Sequence, residues 1–123
     1  MIFMWFISWN FFSADPTAVV SSSTTSIQDG TTAVFTCTIT GYPVDSVTVS
    51  SSSLTLDCLA GTRSGDATCV QKQTGEFLIN VETFSTREAG NYKCSVTTKW
   101  YKTDGTVMGN TAEDTIDLFL GKI

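Results

Sequence analysis

The chain has 123 residues, a hydrophobic fraction of 41%, a net charge of −5 and no histidine. This length suits one domain with one ordinary core, and the negative charge disfavours nucleic acid and anionic membrane surfaces as partners. Without histidine the sequence lacks the general base of Ser-His-Asp and Cys-His catalysis, so those enzyme classes are excluded and no enzyme is expected.

Residues 1–14 are dominated by apolar side chains and contain no Lys or Arg. The apolar run is too short to span a bilayer, which needs about 20 residues. Its length matches the apolar region of a secretory signal peptide. We therefore predict a signal peptide over residues 1–14, a mature N-terminus near Asp15, one domain over residues 15–123, and no membrane insertion beyond the signal segment.

The rest of the chain is typical of an all-β protein, because short runs rich in Val, Ile, Thr and Phe alternate with Gly, Ser, Asp and Asn clusters. Ala18–Ser26 is predicted as a first edge strand. Thr32–Thr40 follows as a half-buried strand, whose alternate positions form one apolar face. That face comprises Ala33, Phe35, Cys37 and Ile39.

Further strands are predicted on the same pattern, giving about seven to nine over roughly 105 residues, the size of a β-sandwich. An Asp104-Gly105 turn separates the last two. Three acidic residues near the final strand are compatible with calcium, but we interpret them as solvated charges on an edge strand, so no metal or cofactor is expected. They are Glu113, Asp114 and Asp117. The predicted strands are Asp45–Ser50, Leu54–Cys58, Thr68–Lys72, Glu76–Glu82, Asn91–Thr98 and Thr115–Leu120.

Four cysteines form an even set, which in a secreted chain favours two disulfides over a zinc site with closely paired ligands. Three pairings are possible, and spacing alone does not choose between them. The order of the predicted strands favours Cys37–Cys94 and Cys58–Cys69.

The segment Glu88-Ala89-Gly90-Asn91-Tyr92-Lys93-Cys94 resembles a corner of the immunoglobulin superfamily, in either its V-set or its I-set. The family pattern is an acidic residue, Gly, Tyr and Cys at alternate positions. The resemblance implies an all-β, immunoglobulin-like Greek-key β-sandwich of two antiparallel sheets. It also implies that Tyr92 bonds to upstream backbone and that Cys94 bridges to Cys37 on the facing sheet.

The chain departs from the family at Val49, where immunoglobulin domains usually carry a Trp packed on the disulfide. A valine fills far less space than an aromatic ring, so Phe35, Phe77 and Phe84 are expected to complete the core. Glu88 is expected to pair with Arg63 or Arg87.

The resemblance also implies function. Loops at one end of variable-type domains form the binding surface, which here points to Trp100, Tyr101, Lys102 and Asp104. Trp100 shares the inward parity of Cys94, so it is either core or contact, and Tyr101 is the better contact candidate. A sheet face around residues 48–52 is an alternative binding surface.

The leading hypothesis is an extracellular recognition or adhesion module of a cell-surface receptor or immune-type molecule. Such a module would be secreted or held on the outer side of the plasma membrane. It would bind a protein partner, with a homophilic dimer as one form of that binding. The alternative is a secreted single-domain effector or inhibitor.

Overall fold

The computed structural model describes residues 14–121, which form ten strands. The predicted signal segment lies almost wholly outside these residues. The described residues contain no helix with the length and apolarity needed to cross a bilayer. The strands are β1 Ala14–Ser21, β2 Ser26–Gln28, β3 Ala33–Tyr42, β4 Val44–Ser50, β5 Thr55–Asp57, β6 Arg63–Ser64, β7 Ala67–Gln73, β8 Glu76–Val81, β9 Gly90–Tyr101 and β10 Val107–Gly121.

The strands form two packed five-stranded sheets, which confirms the predicted sandwich. The first sheet has the order β1-β3-β8-β7-β6 and the second the order β2-β10-β9-β4-β5. Alternate residues of β3, β4, β8 and β9 point inward and are almost fully buried, as the sequence pattern predicts. They are Ala33, Phe35, Cys37, Ile39, Val47, Val49, Phe77, Ile79, Val81, Tyr92, Cys94 and Val96.

The predicted first strand is wrong in its extent, because residues 18–26 do not form one strand. The Ser22 hydroxyl donates to the carbonyl oxygens of Thr24, at 2.7 Å, and Val34, at 2.9 Å, where β1 ends. The chain then moves to the other sheet, where β2 pairs in parallel with the last residues of β10. The second sheet is therefore mixed, and not purely antiparallel as predicted.

The β9–β10 hairpin is longer than the sequence suggests. The predicted final strand began at Thr115, whereas β10 pairs with β9 from Val107, opposite Tyr101, to Leu118. A Cβ atom on Gly109 would lie 2.6 Å from the carbonyl oxygen of Thr98, so this glycine permits a close backbone approach inside the ladder.

The three acidic residues of β10 were expected to be solvated charges on an edge strand. Glu113 and Asp117 are exposed, and among the described residues this part of β10 pairs with β9 alone, because β2 pairs only with residues 119–121. Asp114 is the exception, since it is half-buried and one of its carboxylate oxygens accepts a hydrogen bond from the Val20 amide of β1 at 2.7 Å. The other two contact side chains of β9, in the pairs Glu113–Lys93 at 3.4 Å and Asp117–Asn91 at 2.9 Å.

Candidate functional site

The scaffold of the site is the disulfide between β3 and β9. Cys37 and Cys94 are fully buried, with their Cα atoms 6.4 Å apart. Beside the bridge, the Tyr92 ring meets the edge of Phe35 at a centroid distance of 5.4 Å. The Tyr92 hydroxyl donates to the Glu88 carbonyl oxygen at 2.6 Å, which is the geometry of a tyrosine corner. Burial raises the pKa of that hydroxyl. This bond fixes the turn that leads into β9.

Glu88 does not form the expected ion pair. Its carboxylate accepts hydrogen bonds from the backbone N–H of Ser85, at 3.0 Å, and from the Ser85 hydroxyl. Arg63 instead pairs with Glu82 at 2.9 Å, with about half of each side chain exposed. The prediction failed because Glu88 bonds to Ser85, three residues earlier in the chain, and so closes its own turn. This local bond competes with an ion pair to a distant cation.

The second disulfide joins Cys58, just after β5, to Cys69 of β7, with Cα atoms 5.1 Å apart. Both bridges are those favoured by the strand order. β5 lies at the edge of the second sheet and β7 lies near the edge of the first. This bridge therefore ties the two sheets together along the side of the sandwich that is farthest from β1 and β2.

The turn between β9 and β10 has a well-defined backbone. The Lys102 N–H donates to the Thr106 carbonyl at 2.8 Å, and the Gly105 N–H donates to the Lys102 carbonyl at 2.9 Å. Gly105 has a φ of 89°, which glycine adopts without strain. The Asp104 carboxylate accepts from the Thr106 N–H at 2.8 Å, and its hydrogen bonds with Thr106 lower the Asp104 pKa. Asp104 therefore shapes the turn.

The hairpin continues beyond the strand beside it. β4 begins at Val44, opposite Thr98, and its last link to β9 at this end runs from the Lys99 N–H to the Pro43 carbonyl. Among residues 14–121, the final two cross-strand pairs of the hairpin therefore have no paired strand on the β4 side. These pairs are Tyr101 with Val107 and Trp100 with Met108, which we call the hairpin tip.

The hairpin tip presents apolar side chains to solvent. Tyr101 is 63% exposed and Val107 is 54% exposed, and they lie directly opposite each other. Trp100 is half-buried, because the fully buried inward positions of β9 end at Thr98. Of the four residues singled out from the sequence, the structure brings Trp100 and Tyr101 into the tip, and it places Lys102 and Asp104, both exposed, in the turn.

A hollow of about 330 Å³ opens at the same end of the sandwich, between the two sheets and beside the Cys58–Cys69 bridge. We call it the end hollow. Its lining is mainly apolar. The hollow could not be predicted from the sequence because its walls come from separate strands and turns. The lining includes Ile39, Val44, Leu59, Gln71, Thr74 and Phe77.

Comparison with known proteins gives likenesses of structure alone. No family model matches the sequence, and no curated protein sequence matches it. The Ig7 domain of Dscam1 isoform 9 superposes with a TM-score of 0.63 at 18% identity, covering 87% of this chain and 100% of that domain. A chimeric titin Z1Z2 tandem gives 0.60 at 20% identity, covering 91% of this chain and 52% of the tandem. The N-terminal four Ig domains of Dscam1 isoform 8.4 give 0.56 at 22% identity, covering 89% of this chain and 22% of theirs.

Proposed function

We propose that this immunoglobulin-like domain is an extracellular recognition module that binds a protein partner through the hairpin tip. The observation that carries the proposal is the pair Tyr101 and Val107, which stand 63% and 54% exposed on a turn fixed by its own hydrogen bonds. Exposed apolar side chains on a well-defined protrusion are typical of protein interaction sites.

The geometry of the tip favours binding because little order has to be created on association. A tyrosine supplies a large amphipathic surface with only two rotatable side-chain bonds, so its loss of conformational freedom is small. The paired backbone around it is already in place, which lowers the entropy cost of binding further. Tyr101 is therefore the anchor residue in this proposal, with Trp100 and Lys102 beside it.

The extracellular setting is supported by the two disulfides, which form and persist in oxidising compartments. The predicted signal peptide agrees with this setting. We propose that the domain is secreted or lies on the outer side of the plasma membrane and acts by binding. The net charge of −5 supports a protein partner over nucleic acid.

The test is a binding assay on the surface of candidate partner cells, using protein recovered from the medium of cells that express the full chain. Tyr101→Ala is expected to weaken binding by about 10-fold or more, as the loss of an anchor residue does. Its melting temperature should stay close to that of the wild type, because the side chain is largely exposed. Phe119→Ala is the matched control, since Phe119 is 57% exposed at the other end of β10.

Two results would contradict the hairpin-tip site. In one, Tyr101→Ala binds as well as the wild type. In the other, binding is lost on charge substitution of Thr48, whose side chain lies on the outer face of β4. That second result would move the site to the sheet face.

A further inference from the structure

The hairpin end of the sandwich carries both a projecting apolar tip and an apolar hollow. The tip lies where β9 ends and β10 begins, and the hollow is lined in part by the end of β3 and the start of β4, so both lie at the same end of the sandwich. The volume of about 330 Å³ lies near the lower limit for small-molecule pockets, about 300–1,000 Å³, and suits one or two inserted side chains. The same chain therefore presents both halves of an apolar contact at one end.

We propose that the hairpin end binds a second copy of this chain, with the hairpin tip of each copy seated in the end hollow of the other. This inference rests on the proposed function and names its partner. A two-fold axis across the end of the sandwich brings each tip over the opposite hollow, so the contact is made twice and the assembly closes as a dimer.

The local charges support self-association, although the chain as a whole is acidic. Residues 99–108, which comprise the hairpin tip and its turn, carry the ammonium groups of Lys99 and Lys102 against the one carboxylate of Asp104. The residues within two positions of the lining of the hollow along the chain carry three carboxylates against one ammonium group. They are Asp45, Asp57, Glu76 and Lys72.

The Asp57 carboxylate accepts hydrogen bonds from the backbone N–H groups of Leu59, a lining residue, at 3.1 Å, and of Ala60, at 3.2 Å. A weakly cationic tip thus meets an anionic rim. Two chains of net charge −5 would repel in other orientations, so this orientation is favoured.

The contact is small, because each tip offers only four apolar side chains. Interfaces below about 1,200 Å² are typically weak and transient. The dimer is therefore expected to dissociate with a Kd of roughly 10–500 µM, and to be visible as a concentration-dependent mass.

Sedimentation equilibrium of protein recovered from cells that express the full chain tests the proposal. The wild type is expected to shift reversibly from monomer to dimer across roughly 5–500 µM. Tyr101→Glu in the tip and Leu59→Glu in the hollow should each remain monomeric. Both side chains are about half exposed or more, so both variants should keep the wild-type melting temperature. Phe119→Glu, the matched control at the opposite end, should dimerise as the wild type does.

The possible failures are distinguishable. A dimer that persists in both variants would place self-association on another face and overturn this inference. A wild type that stays monomeric up to about 500 µM would also overturn it. In that case the proposed function stands if Tyr101→Ala weakens binding to partner cells, and fails with this inference if it does not.

Discussion

Val49 of β4 lies opposite Cys94 of β9 in the register of the second sheet, so a small side chain faces the position of the inter-sheet bridge. Both residues are fully buried. Three phenylalanines that were expected to complete the core are also buried, at 0–1% exposure: Phe35, Phe77 and Phe84. The core is thus filled by phenylalanines from β3, from β8 and from the segment that follows β8.

The first prediction is that a tryptophan at position 49, where immunoglobulin domains usually carry one, will destabilise this protein. Val49→Trp adds an indole where the exposed fraction is already zero, so it forces neighbours apart and should lower the free energy of unfolding by about 1–3 kcal/mol or more. Denaturant unfolding measures the change. Val19→Trp on the exposed face of β1 is the control and should shift stability by less than about 0.5 kcal/mol. A more stable Val49→Trp variant would show that the core has unfilled space at this position.

The second prediction concerns the two disulfides. Cys37–Cys94 closes 57 residues and Cys58–Cys69 closes 11. On the loop-entropy model their removal costs about 4 and about 3 kcal/mol, respectively. All four cysteines are buried, so either replacement leaves a cavity, and replacing each pair by alanines and comparing urea midpoints should therefore give the larger loss for the first pair. Equal or reversed losses would contradict the entropic account of these bridges.

The third prediction concerns the tyrosine corner. Tyr92→Phe keeps the ring against Phe35 and deletes only the donor to the Glu88 carbonyl. The variant should lose about 1–2 kcal/mol, because a buried acceptor is left without its partner. Chemical denaturation measures the loss, and Tyr42→Phe, at an exposed tyrosine, provides the control. A change within error of zero would mean that the bond contributes nothing to stability.

The fourth prediction is a loss of stability at alkaline pH. Burial raises the pKa of Tyr92 above its ordinary value of 10.0, so the folded state favours the neutral phenol. The contribution of Tyr92 to the free energy of unfolding is fully present below pH 10. It falls as the pH rises through the folded-state pKa, because Tyr92 ionises more readily in the unfolded chain.

Tyrosinate absorbance tests this directly. The difference between the wild type and Tyr92→Phe isolates the signal of Tyr92. The midpoint of that signal should lie above pH 10, together with a loss of near-ultraviolet circular dichroism. A midpoint at or below pH 10 in the folded protein would contradict the prediction.

The inward faces of the strands could be predicted from the sequence, because burial of one face makes apolar residues recur at every second position within a single strand. Phe77, Ile79 and Val81 are an example, and all three are buried. The tyrosine corner could also be predicted from the sequence, because one local pattern marks it. That pattern is Glu88, Gly90, Tyr92 and Cys94. What one segment determines alone can be derived from that segment.

Features that depend on two distant segments were missed. The predicted start of β10 was too late in the chain. Gly109 is needed inside the strand because a side chain there would clash with the carbonyl of Thr98, and this depends on the paired strand. The crossing from β1 to β2 depends on a hydrogen bond from Ser22 to Val34. The end hollow is likewise assembled from both sheets, and no single stretch of sequence marks it.

The parallel pairing of β2 with the end of β10 has a mechanical consequence. The described N-terminus, Ala14, lies opposite Tyr42 at the hairpin end, whereas Gly121 lies opposite Gln28 at the other end. Tension applied at these two points runs along the strand axes, so it loads β1 against β3 and, once β1 has separated, slides β2 and β10 past each other in opposite directions. All their hydrogen bonds then bear the load together instead of opening one by one. The Cys37–Cys94 bridge excludes the chain between those residues from stretching, so only the outer segments can extend under force.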